Sequence, residues 1–296
     1  MNRRELSETK LQISELSLGC MSLPEEYDSS KKILDAAIEG GISLLDTADL
    51  YQQGWNEEML GKALKGRRNQ LVLATKVGNQ LRPDGSGWDW NPKKEYILGA
   101  VEQSLKRLQT DYIDLYQLHG GTIEDPWDET LEAFELLKTQ GKIRAFGISS
   151  IRPNVIRKVL SASKPATIMM QYNPLDRRPE ESAFSTISGS ETKVLVRGSF
   201  AKGLLINKPE KDFLDFKASE VVEMRKEILN LGFSPEAFLI KFGLTQSVVG
   251  SLVIGTSGVE QVGKMLKGYE ESFTIPDEVI EEFKKKFRAN YYQQHR

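Results

Sequence analysis

Cysteine and histidine are almost missing from this 296-residue chain, which carries Cys20 alone and two histidines. One cysteine excludes an intrachain disulfide, and so few Cys and His side chains exclude Cys/His metal clusters. No apolar stretch approaches the ~20 residues that a membrane span requires. The N-terminal MNRRELSETKLQISELSLG has no apolar core of the signal-peptide kind. Neither sign of charge dominates: 40 Lys and Arg stand against 42 Asp and Glu, a net charge of −2. A nucleic-acid footprint and a polybasic membrane patch are therefore not expected. Glu281-Glu282-Phe283-Lys284-Lys285-Lys286 reads as the wet face of a helix. No Gly/Ser or Pro-rich linker divides the chain and no sequence repeat recurs in it. Residues 1–296 are accordingly expected to form a single domain, in a reducing, aqueous compartment such as the cytoplasm.

What is present is an alternation of two kinds of element. Eight short apolar, β-rich runs occur at Ile13 to Gly19, Ile42 to Asp46, Leu71 to Lys76, Ile113 to His119, Ile143 to Ile148, Thr167 to Gln171, Lys193 to Arg197 and Val248 to Gly255. Between them lie stretches with apolar residues at three- and four-residue steps, as in Ser30 to Glu39 and Lys93 to Leu108. Strand–helix alternation means βαβ units and a parallel sheet. The chain length also suits a barrel, typically about 250 residues and often more. Eight units favour an α/β fold closed as a (β/α)₈ TIM barrel. The rival open sheet would carry a G-x-G-x-x-G turn after an early strand; after Gly19 the chain continues Cys-Met-Ser instead.

Three segments are longer than ordinary connections: Val77 to Pro92, Gly120 to Asp128, and Leu204 to about Val221. All three follow strand C-termini, the face on which barrel enzymes place their active sites. The first carries Trp88 and Trp90, suited to a wall against a substrate, or to a loop that packs on its own aromatics.

The strand ends carry the chemistry. The second run ends at Asp46 and leads into Thr-Ala-Asp-Leu-Tyr51; the third ends at Lys76 and the fourth at His119. On a barrel these ends neighbour one another around a single rim. Singly, each has a plain reading: a turn aspartate, a packing tyrosine, a surface lysine, a hydrogen-bonded histidine. Together they form a set fit for carbonyl reduction. Hydride addition to a carbonyl leaves an alkoxide that needs a proton, which Tyr51 can supply if the Lys76 ammonium lowers its pKa. Asp46 would fix that ammonium, so losing Asp46 is expected to raise the tyrosine pKa. His119 would hydrogen-bond the carbonyl oxygen and orient it.

At these residues the chain resembles the aldo-keto reductase family over nearly its whole length. The likeness rests on Asp46-Thr47-Ala48-x-x-Tyr51, Gly54 with Asn56-Glu57 and Gly61, and Thr75-Lys76. It continues in Asp111-Tyr112-Ile113-Asp114-Leu115 ending at His119, Gly141-Lys142-Ile143-Arg144 leading to Gly147-Ile148-Ser149, Gln171-Tyr172-Asn173-x-Leu175, and Ile254-Gly255. The resemblance implies a catalytic tetrad of Asp46, Tyr51, Lys76 and His119; Tyr51 and His119 are expected to face substrate, joined by Trp88 and Trp90 of the first long loop. It also implies a nicotinamide cofactor extended across the barrel mouth. Its expected contacts are Gly19, Met21, Asp46, Ser149, Ser150 and Gln171, the run Arg197-Gly198-Ser199-Phe200-Ala201-Lys202-Gly203, then Gly255, Thr256, Ser257, Gln261 and Lys264. No metal is implied.

Three positions depart from the family pattern. Ser150 stands where many relatives have Asn, and Arg197 where an aromatic often stacks on the nicotinamide; a planar guanidinium can stack as well. Gln261 replaces an arginine common in NADP-selective members, and Lys264-Met265 replaces Glu-Asn. The cofactor is therefore expected to be NADPH with a weakened preference, NADH being the alternative. Thr256 to Gln261 should hold the 2′-phosphate at a helix N-terminus. The expected partner is a small-molecule carbonyl. The other function weighed is a cofactor-binding regulatory or redox-sensing subunit with little turnover; NADPH consumption with an aldehyde separates the two.

Overall fold

The computed structural model describes residues 1–6 and 9–296. Its centre is a closed barrel of eight parallel strands. The chain opens with β1 (Arg3–Leu6) and β2 (Leu11–Ser14), an antiparallel hairpin. Barrel strands β3 (Leu16–Gly19), β4 (Leu44–Asp46) and β5 (Val72–Val77) follow. A second hairpin, β6 (Asn79–Leu81) with β7 (Trp88–Trp90), stands on the loop after β5. The barrel resumes with β8 (Ile113–Leu118), β9 (Ile143–Ser149), β10 (Thr167–Gln171), β11 (Lys193–Arg197) and β12 (Val249–Gly255), which pairs back onto β3. Helices α1 (Tyr27–Glu39), α2 (Trp55–Ala63), α3 (Lys94–Leu108), α4 (Trp127–Thr139), α5 (Pro153–Ala162) and α6 (Ala183–Ser188) each follow a strand. Two helices, α7 (Ala218–Asn230) and α8 (Pro235–Leu244), separate β11 from β12; α9 (Val259–Ser272) and α10 (Asp277–Lys286) complete the chain. No helix among the described residues is long and apolar enough to cross a membrane.

Local chemistry fixes these elements. The Glu26 carboxylate caps α1 by accepting from the amides of Asp28 and Ser29, and Ile33, Leu34 and Ala37 form its buried stripe. On α10 the acidic and basic run is solvated while Ile280 and Phe283 pack inward. Alternation then divides each strand between two cores. One parity joins the helix layer. The other fills the barrel interior with Leu44, Val72, Ala74, Leu115, Ala145, Met169, Leu195 and Val253. Leu6, Leu11 and Ile13 of the first hairpin enter that same inner cluster, so the hairpin plugs the N-terminal end of the barrel. Each fully buried Leu or Ile there contributes roughly 2 kcal/mol.

All eight expected strands are present, with two corrections. Ile13 to Gly19 is not one strand: the chain leaves the hairpin at Ser14 and enters the barrel at Leu16. Between them the buried Glu15 carboxylate accepts from Arg4 Nε at 2.8 Å and from the Tyr269 hydroxyl at 2.7 Å. A buried carboxylate needs such partners, and reaching them turns the chain. The segment Val77 to Pro92 is likewise not a plain loop, because β6 and β7 pair within it and Arg82, just after β6, holds Asp89 on β7.

Candidate active site

The parity that fills the barrel interior also sets the rim. Gly19, Asp46, Lys76, Ser149, Gln171, Arg197 and Gly255 stand at or beside the ends of their strands, and His119 follows β8 directly. Register ties them around the ring: Gly19 pairs with Asp46 and with Gly255, and Gln171 with Arg197. Lys76 is 1 % exposed, a position a lysine tolerates only with partners. Its ammonium donates to Asp46 Oδ2 at 2.7 Å, to the Thr47 carbonyl at 2.7 Å and to the Tyr51 hydroxyl at 3.4 Å. Gln117 Nε2 donates to the other Asp46 oxygen at 3.2 Å. The Tyr51 and His119 rings meet edge to face, 5.8 Å between centroids. The four residues read from the sequence thus converge.

Tyr51 is held by its loop. Thr47 and Asp49 donate their amides to the carbonyls of Ala74 and Lys76. The Thr47 hydroxyl donates to Asn56 Oδ1 at 2.6 Å, and Asn56 Nδ2 donates to the Cys20 carbonyl and to Gln52 Oε1. Directly after Tyr51 the backbone runs left-handed at Gln52, Gln53 and Gly54, with φ of 48°, 54° and 93°. For two non-glycine residues this is strained, of order 1–3 kcal/mol each. A Cβ on Gly54 would also lie 2.9 Å from Arg107. Arg107 in turn holds Glu57 Oε2 at 2.7 Å, while Glu57 Oε1 accepts from the Thr75 hydroxyl at 2.6 Å. Gly54, Asn56 and Glu57 therefore brace the loop rather than enter the chemistry.

Electrostatics give each group a state. Burial works against the Lys76 ammonium, but Asp46 and then Tyr51 raise its pKa, and it stays charged. The Tyr51 pKa is raised: burial is the largest cause, Asp46 adds to it, and Lys76 and Arg197 oppose it. This corrects the expectation of a lowered tyrosine pKa, because desolvation outweighs the ammonium at 3.4 Å. Burial, then the positive charges of Lys76 and Arg197, depress His119 to about 3, so its ring is neutral at physiological pH. Among the described residues His119 Nδ1 is buried without a hydrogen-bond partner.

The cofactor candidates line the remaining rim. The Ser150 hydroxyl oxygen accepts from the Arg152 amide at 3.2 Å, leaving its proton free to donate. Gln171 donates through Nε2 to Asp176 at 2.8 Å and accepts at Oε1 from Arg197 Nη1 at 3.0 Å. Solvent reaches Arg197 through the open mouth; protein on its other sides lowers its pKa by burial. The turn after it is tight, with Gly198 at φ 68° and Ala201 and Lys202 also left-handed. Among the expected contacts, Ser199 Oγ and Thr256 Oγ1 are buried hydroxyls without a partner among the described residues. Two orphaned donors on neighbouring strand ends fit a ligand that supplies oxygen acceptors. Gln261 Oε1 accepts from the Ser257 amide at 2.8 Å, and Lys264 is exposed and paired with Glu260 at 2.9 Å. Gly19 is buried and Met21 is exposed.

Over the rim, Asp125 joins two of the long loops. It accepts from Trp90 Nε1 at 3.0 Å and from the Thr122 amide at 2.7 Å. The Trp90 ring lies where a Cβ on Gly78 or Gly120 would be, at 2.7 and 3.3 Å, and so covers the backbone beside His119. Trp88 stands farther out on the hairpin and is 49 % exposed.

A barrel with this rim is shared with known proteins. Residues 15–288 match the model of the aldo/keto reductase family. The chain belongs to that family. With membership comes an NAD(P)H-dependent oxidoreductase. An uncharacterized oxidoreductase of Bacillus subtilis, YqkF, is 43 % identical over 307 aligned positions, covering all of both chains. The holo form of aldo-keto reductase AKR11C1 from Bacillus halodurans superposes with a TM-score of 0.96 at 47 % identity, covering 100 % of this chain and 99 % of that one. A Schizosaccharomyces pombe protein named aldo-keto reductase yakc [NADP(+)] is 30 % identical over 200 residues, 64 % of this chain and 59 % of its own.

Two residues of this aldo-keto reductase rim escaped the sequence reading. Gln117 sits two residues before His119 on the same strand, and strand alternation alone would have turned both inward. Asp176, bonded to Gln171 across a turn, left no comparable signal.

Proposed function

We propose that this aldo-keto reductase reduces an aldehyde or ketone to an alcohol with NADPH, residues 1–296 acting as one domain. The observation that carries the reading is the Lys76 ammonium bonded at once to Asp46 and to the Tyr51 hydroxyl. The bound dihydronicotinamide supplies a hydride to the carbonyl carbon. Tyr51 gives its phenolic proton to the carbonyl oxygen as the C–O double bond becomes single. The phenolate left behind faces the Lys76 ammonium, which stabilises it and returns a proton. Asp46 keeps that ammonium charged and aimed. His119, neutral, donates to the carbonyl oxygen and orients it beside Tyr51. Trp90 shields the carbonyl from water, and Trp88 meets the outer part of the substrate.

Ser149, Ser150 and Gln171 would hold the carboxamide of the bound cofactor, and Arg197 would face its nicotinamide. Ser199 and Thr256 supply their unpaired hydroxyls farther along the cofactor. NADPH as the preferred donor is supported by the NADP(+) in the name of one relative and by the unpaired Thr256 hydroxyl just before α9. The test is oxidation of NADPH with 4-nitrobenzaldehyde or methylglyoxal, followed at 340 nm. Tight binding of NADPH without turnover on either would overturn the reading in favour of a regulatory subunit.

A further inference from the structure

Asp176 is wholly buried on the turn that follows β10. Asn173 and Asp176 exchange backbone hydrogen bonds across the turn, and Asn173 Nδ2 donates to the Gly198 carbonyl at 2.8 Å. Arg178 grips the carboxylate with both arms, Nε to Oδ1 at 2.7 Å and Nη2 to Oδ2 at 2.8 Å. Oδ2 also accepts from Gln171 Nε2 at 2.8 Å. On the far side of the Gln171 amide, Arg197 donates to Oε1.

This chain of contacts leaves the amide one orientation. A carboxylate only accepts and a guanidinium only donates. The Gln171 NH₂ must therefore face Asp176, and its oxygen must face Arg197 and the mouth. That oxygen has two lone pairs, of which Arg197 takes one. The C-terminal tail covers the assembly. The Tyr292 ring lies 5.2 Å from the Arg178 guanidinium, and the tail is fastened at both ends of this stretch. Asn290 bonds the Arg177 amide and the Leu175 carbonyl, and the His295 carbonyl accepts from the Asn154 amide at the start of α5. The Asp176 side of the ion pair is thus closed to water, which would otherwise weaken it.

We propose that Asp176 is a positioning residue for the cofactor: clamped by Arg178 under Tyr292, it locks the Gln171 amide with Oε1 presented to the NH₂ of the nicotinamide carboxamide. The inference rests on the reading that Gln171 holds that carboxamide. Without Asp176, Gln171 is free to turn its own NH₂ outward, and two donors then face each other.

The test is a double-mutant cycle on NADPH affinity, read by quenching of protein fluorescence in wild type, Gln171→Ala, Asp176→Ala and the double variant. Each single change is expected to raise Kd about tenfold, the weight of one or two hydrogen bonds. In the Gln171→Ala background, Asp176→Ala should then add less than about twofold, since its route through the Gln171 amide is gone. If the two effects multiply, Asp176 acts through general stability and the proposal falls. If Gln171→Ala weakens NADPH and Asp176→Ala does not, the proposal alone falls. If Gln171→Ala leaves Kd unchanged, the carboxamide seat itself is misplaced. Should Asp176→Ala fold poorly, Asp176→Asn keeps the shape and one acceptor. Its expected rise in Kd is smaller and must vanish in the same background; persistence there would overturn the proposal.

Discussion

Lys76 makes its longest hydrogen bond to Tyr51: the ammonium lies 3.4 Å from the phenolic oxygen and 2.7 Å from both Asp46 and the Thr47 carbonyl. A charge held short on one side and long on the other is poised to tighten when a phenolate forms. That asymmetry suits a tyrosine that stays protonated until the moment of transfer.

Tyr51→Phe keeps the ring against His119 and removes the proton. We expect kcat to fall by 10²-fold or more, within the usual range of about 10² to 10⁴ for a general acid, with the NADPH Kd unchanged. Aldehyde reduction near the wild-type rate would remove Tyr51 from the proton path.

Asp46→Asn tests a sign. The Asp46 charge pushes the Tyr51 pKa up, so its removal should lower that pKa, contrary to the expectation from sequence. Reduction needs the protonated phenol. The alkaline limb of the kcat profile should therefore move to lower pH, while the plateau rate drops because Lys76 loses its anchor. A limb that moves upward would contradict the structure.

His119 carries a stability signature. Its pKa is depressed from 6.5 to about 3. Above 6.5 neither state binds the proton; as pH falls from there toward 3, the unfolded chain takes it up and the native chain does not. Stability is then lost at up to about 1.4 kcal/mol per pH unit from this one group. Urea unfolding of wild type and His119→Gln at pH 6.5 and 4.5 should diverge, the variant losing less. The variant should also lose kcat/KM for carbonyls while retaining NADPH affinity.

Gln261 occupies the Ser257 amide, and Lys264 is committed to Glu260. Gln261→Arg is expected to tighten NADPH relative to NADH by roughly one to two decades, the worth of a charge-assisted fork. Lys264→Ala should leave that ratio unchanged. Paired dissociation constants for the two cofactors decide both.

The legible part of this protein was what strand periodicity and strand ends reveal. Eight apolar runs named the barrel, and Asp46, Lys76 and His119 stood at the ends of three of them. Side-chain period also held the clue to Gln117. The turn at Glu15 was hidden because Ile13 to Gly19 reads as continuous β sequence; only its partners Arg4 and Tyr269 break it. The lowered Tyr51 pKa expected from a nearby lysine failed for a related reason. Charge is visible in a sequence, whereas the depth of burial that opposes it belongs to the packed structure. Asp176 escaped because its meaning lies in Gln171, Arg178 and Tyr292 together, the last of them 116 residues away in numbering.

The hairpin that plugs the barrel also governs when the barrel can be finished. Its amide at Asn2 donates to the Tyr269 hydroxyl, and Arg4 donates to the Val249 carbonyl. Strand β1 thus waits for a partner 245 residues further along the chain. Such long-range closure slows folding, and a nascent chain short of β12 lacks the Val253 that shares the inner cluster with Leu6 and Ile13. Chaperone demand during synthesis should track the absence of that final strand more than the length already made.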